Sequence, residues 1–174
     1  MRASDDRLKS KSMSEIFEGL LKALCEKCTG FYGPRLTSLA VYGSVGRKLM
    51  NQESDIDFLL VVDPLPNGRY RRVREFEAVE RALGADLAEA GDYGIHTELS
   101  PVFKTPGEVR QGSPLFLDMV DDARILIDRG GFFQRELNGL RERLARLGAR
   151  RIWKGNAWYW DLKPDYKIGE EFEI

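Results

Sequence analysis

Histidine and cysteine are nearly missing from this chain: its 174 residues hold one histidine, His96, and two cysteines, Cys25 and Cys28. A structural zinc site takes four nitrogen or sulfur ligands, and a lone Cys-x-x-Cys far from the only histidine does not supply them. The pair also falls on a helical apolar pattern with Leu20, Leu21 and Leu24, which reads as core. An excess of charge is missing too, with 27 basic against 28 acidic side chains. Without a basic surplus there is no overall electrostatic footprint for nucleic acid, which argues against a polymerase-like role. Long apolar runs are absent, the most continuous being residues 58–62, far short of a membrane span. Residues 1–6 are polar rather than a signal-peptide core, so the expected location is the cytoplasm, with no membrane partner.

What is present is ordinary for a folded domain: 43% hydrophobic and 32% charged residues, in a chain long enough to bury a core. Apolar residues at helical spacing predict helices over 13–28, 70–90 and 133–147. Strands are expected over 36–42, 55–62 and 93–103, with a short fourth at 124–128. Thr105-Pro106-Gly107-Glu108 is a capping box, and Ser113-Pro114 repeats the cap-plus-proline signature. Helices and strands alternate, so the fold class is α+β: a small mixed sheet flanked by helices. Residues 1–150 are expected to form one domain. Residues 151–174, which hold all three tryptophans, are expected to be a tail packed on it, docking being favoured over base stacking. The arginines at 69, 71, 72 and 74 open a helix against its dipole, which points to either an acidic partner or a solvated face.

Chemistry concentrates in two short stretches. Val41-Tyr42-Gly43-Ser44 reads as a strand entering a Gly-Ser turn, and ten residues separate Ser44 from the Asp-x-Asp of Asp55 and Asp57. Residues two apart in a strand share a face, so the two carboxylates point together while Ile56 and Phe58 point away. Like charges held side by side gain nothing unless a cation sits between them. A Gly-Ser turn nearby offers N–H groups and a hydroxyl to phosphate. These features describe a site for a metal-bound nucleoside triphosphate.

At Gly43, Ser44, Arg47, Ser54, Asp55 and Asp57 the chain resembles the polymerase-β-like nucleotidyltransferase superfamily, in particular its small stand-alone members, the minimal nucleotidyltransferases. Lys48 stands where that pattern has glycine, which predicts a less tightly bent turn. The resemblance implies transfer of a nucleoside monophosphate, AMP from ATP in the first reading, to a hydroxyl, with two magnesium ions. It implies phosphate contacts from Gly43 and Ser44, with Arg47 or Lys48 neutralising the triphosphate. Asp55 and Asp57 would hold metal, joined by a third acid from the neighbouring strand. Glu98 is the candidate for that third acid and Asp92 the minor alternative; a site with two acids stays open. Small members commonly act as antitoxins that modify a helical HEPN-type toxin, and others modify small molecules such as aminoglycosides, with residues 113–147 as a reduced acceptor-binding region. The rival class is a non-catalytic binding module that masks a partner.

Overall fold

The computed structural model describes residues 11–155, 157–172 and 174. The opening residues 1–6, read above for the absence of a signal-peptide core, lie outside them. The first helix, α1 (Met13–Tyr32), starts at a capping box between Ser12 and Glu15 and runs one turn past the expected end. Then follow β1 (Leu36–Val41), the one-turn α2 (Gly43–Gly46), β2 (Ile56–Val62), α3 (Arg69–Ala82), α4 (Gly84–Asp92), β3 (Leu99–Lys104), α5 (Pro106–Arg110), α6 (Leu115–Asp122), β4 (Arg124–Asp128), α7 (Phe132–Arg146), β5 (Arg150–Lys154) and β6 (Ala157–Asp161).

The sheet order is β3-β2-β1-β4. Strand β2 pairs antiparallel with β1 and parallel with β3, and β1 pairs antiparallel with β4. The sheet is therefore mixed, as expected. Alternation along β2 sorts its residues between two apolar layers. Ile56, Phe58, Leu60 and Val62 pack with Phe17, Leu20, Leu24 and Cys28 of α1 and with Phe76 and Val79 of α3. Leu59 and Val61 pack on the other side with Phe116, Met119 and Val120 of α6 and with Phe133, Leu137 and Leu140 of α7. Coverage on both faces is why this strand reads as a continuous apolar run. Residues 113–147 close the second face of the sheet rather than standing apart from it. Cys28 is fully buried, and desolvation pushes its thiol up to about 12, which makes it inert core.

Three expectations need correction. The helix over 70–90 is two helices, α3 and α4, that meet at Leu83, whose side chain is buried in the core. The third strand is shorter than residues 93–103, because β2 offers ladder partners only from Ile56, which meets Leu99. For the same reason Asp55 stands just ahead of β2 rather than inside it.

Candidate active site

Gly43 fixes the floor of the site. It takes φ +65°, and a β-carbon built there would lie 2.5 Å from Asp57 Oδ2. Only glycine combines that conformation with that approach. Tyr42 N–H donates to Asp57 C=O at 3.0 Å, which locks the turn to β2.

The turn then closes as a Schellman motif. Leu49 N–H donates to Ser44 C=O at 2.8 Å and Lys48 N–H to Val45 C=O at 3.1 Å. Lys48 takes the left-handed position at φ +58°, the only non-glycine among the described residues to do so. The expectation of a less tightly bent turn is thus wrong. The backbone hydrogen bonds impose the glycine geometry on a lysine.

Asp57 lies on the face of β2 shared by Leu59 and Val61, paired with Ser100 of β3. Desolvation raises its carboxyl above the ordinary value; the Ser100 hydroxyl and Arg47 pull it down, and Asp55 adds to the rise. Asp55 is exposed, and its Oδ1 accepts the Glu98 N–H at 3.1 Å. Ile56 N–H in turn donates to Glu98 C=O at 2.9 Å. Glu98 therefore stands beside Asp55 immediately ahead of the β2–β3 ladder, exposed and with the parity of Ser100. Asp92 ends α4 and is outside this ladder. Among the described residues no three histidine, cysteine or acidic side chains gather closely enough to hold a metal ion. Ser54, buried, accepts the Asn51 N–H at 2.9 Å and shapes the loop that delivers Asp55.

The second wall of the site was not foreseen. Asp118 and Asp122 lie one turn apart on α6. Asp122 accepts two hydrogen bonds from Arg151, at 2.6 and 3.2 Å, and sits 3.7 Å from Arg47. Desolvation raises the Asp118 carboxyl, while Arg151 and Arg47 lower it. Tyr42 lies between the two acidic groups; burial first, then Asp57 and Asp118, push its hydroxyl up to about 12. The i, i+4 acidic pair Asp118 and Asp122, on a helix whose other residues are apolar apart from Asp121, was the available signal. Arg47 reaches this wall, whereas Lys48 is exposed. Arg72 is no solvated arginine: it holds Glu108 at 2.8 and 2.9 Å and Pro66 C=O at 2.8 Å.

Asp55 and Asp57 supply hard oxygen donors suited to a divalent ion such as magnesium. The open side of Gly43 leaves room over one of them. The residues fit such an ion as a pair.

Residues 18–105, half of the chain, match the family profile of the nucleotidyltransferase domain. The chain belongs to that family, and it is an enzyme of the nucleotidyltransferase class. A relative in Methanocaldococcus jannaschii, described as "Putative protein adenylyltransferase MJ1305", is 24% identical over 135 residues, 76% of this chain and 86% of the relative. Among solved structures, a toxin–antitoxin with AMP-PNP is 16% identical, with a TM-score of 0.40 over 76% of this chain and 92% of that one. A toxin–antitoxin MntA-HpeT structure is also 16% identical, with a TM-score of 0.42 over 75% and 90%.

Proposed function

We propose that the protein transfers AMP from ATP to a hydroxyl on a partner protein. The observation that carries this reading is the close approach of Gly43 to the Asp57 carboxylate, which leaves no room for a β-carbon and brings the left-handed Gly-Ser turn up to the start of β2. Ser44 and the Gly43 backbone take the β- and γ-phosphates, and Arg47 offsets their charge. Asp55 and Asp57 are the residues that would hold magnesium, which would neutralise the triphosphate and the charge that develops on it. The acceptor oxygen attacks the α-phosphorus, the bond to the bridging oxygen breaks, and pyrophosphate leaves. Glu98 receives the hydroxyl proton. The description of the Methanocaldococcus jannaschii relative supports a protein acceptor over a small molecule. A HEPN-type toxin is the partner that the family resemblance implies.

One observation favours the second reading, nucleotide binding without transfer: among the described residues the acids do not gather as three. Two measurements separate them. Calorimetry with ATP should show binding with magnesium and little in EDTA. Labelled ATP incubated with candidate partners should leave label on protein under the first reading and none under the second.

A further inference from the structure

The C-terminal hairpin β5–β6 is a two-stranded sheet, which is marginal in water unless one face is covered. Its pairing places Arg151 opposite Trp160 and Trp153 opposite Trp158, so all four share a face. The Arg151–Trp160 end of that face meets α6, while Trp153 stays exposed: Trp160 Nε1 donates to Leu117 C=O at 3.1 Å, and Arg151 grips Asp122. The Arg151 guanidinium sits 3.9 Å from the Trp158 ring centroid and 5.0 Å from that of Trp153. Its position is thus fixed by two indoles and by both oxygens of one carboxylate.

Asp122 faces the nucleotide turn with backbone and side chain together. A β-carbon on Gly46 would lie 3.1 Å from Asp122 C=O, so the end of α6 presses on the turn. Its carboxylate, only 15% exposed, meets a second guanidinium, Arg47, at the looser distance of 3.7 Å. One largely buried negative charge is shared by two cations, and the better geometry belongs to Arg151.

We propose that Arg151 is a positioning residue for the nucleotide site: by neutralising Asp122 it leaves Arg47 free to turn to the triphosphate. This rests on the reading of Arg47 as a phosphate contact given above. Without Arg151, Asp122 is a buried carboxylate with one cation left, and it holds Arg47 back. The hairpin then belongs to the nucleotide site although none of its side chains touches substrate.

The test is a double-mutant cycle on ATP affinity with magnesium, using the full chain. Arg151→Gln should raise the Kd for ATP about tenfold while kcat at saturation stays within about twofold. Asp122→Asn alone should leave Kd unchanged or lower it. The double variant should return to within about threefold of wild type, a rescue that loss of packing alone does not give. Arg151→Lys, which keeps the charge, should fall between. All three tryptophans lie in this hairpin, so tryptophan emission reports whether it stays docked in each variant. Weaker binding in Asp122→Asn, or a double variant as weak as Arg151→Gln, overturns the proposal. Wild type that binds no ATP overturns the functional reading and this inference together. Wild type that binds normally while Arg47→Gln also binds normally overturns the inference alone.

Discussion

The paired strands β2 and β3 carry charged groups at both ends, and the two ends treat them in opposite ways. At the C-terminal end Glu108 accepts both Arg72 nitrogens and caps α5 through the Thr105 N–H, and these hold its carboxyl down at about 2. At the N-terminal end Asp57 is partly desolvated, faces Asp55, and is raised instead. A carboxylate whose ionised form is fully partnered stabilises the fold. A carboxylate whose ionised form is disfavoured by desolvation costs stability instead, which fits the cation-binding role proposed for this end. One acid sits in the helix that follows β3 and the other near the start of β2. The two shifts run in opposite directions because one carboxylate is partnered and the other is desolvated.

The largest expected effect tests the disfavoured end. Asp55→Asn with Asp57→Asn should abolish transfer. In the absence of metal the same variant should melt at the wild-type temperature or slightly above it. Because the folded carboxyl of Asp57 is raised, its ionised form costs stability at neutral pH, and the amide removes that cost. A clear drop in melting temperature without metal would make this end structural like the other and collapse the contrast.

Glu98 comes next. Its backbone already serves the site through Asp55 and Ile56, and those contacts survive a change of side chain. Glu98→Gln should therefore keep ATP binding while cutting transfer by about 10²-fold or more, the range of positioned proton transfer. Full activity in this variant would move the proton acceptor elsewhere, with Asp118 on α6 the next acid to test.

The partnered end should respond in stability alone. Glu108→Gln should lower the unfolding free energy at pH 7 by about 1 kcal/mol, the scale of a half-exposed charge-assisted pair, and leave transfer unchanged. The sign with pH follows from a depressed folded value. The contribution is complete above the ordinary carboxyl value of 4.5 and is lost as pH falls through about 2. Chemical denaturation of variant and wild type across that window should show the difference shrinking in acid. A difference that is flat with pH would mean that packing, not charge, accounts for it.

Alternation and spacing made one wall of the site legible. The Gly-Ser turn, the Asp-x-Asp at the entrance to β2 and the apolar run behind it each follow a local rule, and Asp57 faces the way period two requires. The second wall was illegible because it depends on contacts between distant segments: Arg151 reaches Asp122 across 29 residues. Composition gave three tryptophans in a tail but not the face they share, since strand register is set by pairing. Glu98 was placed on a strand that begins one residue after it. The register places it next to the first paired residue of β3, two positions before Ser100, which pairs with Asp57.

The smallest effect should come from Lys48, where the two demands on this end meet in one residue. A left-handed conformation costs an L-residue about 1–2 kcal/mol, while glycine loses about 0.5–1 kcal/mol more chain entropy on folding. The net gain for Lys48→Gly is thus about 0–1.5 kcal/mol, centred below 1 kcal/mol, which raises the melting temperature by about 2 °C at this size. If Lys48 helps to offset the triphosphate, the same variant should bind ATP more weakly, so stability and affinity move in opposite directions. Thermal melting without nucleotide and calorimetry with it measure the two separately. Gain without loss of affinity would assign phosphate neutralisation to Arg47 alone, and the strained lysine would be explained by neither stability nor binding.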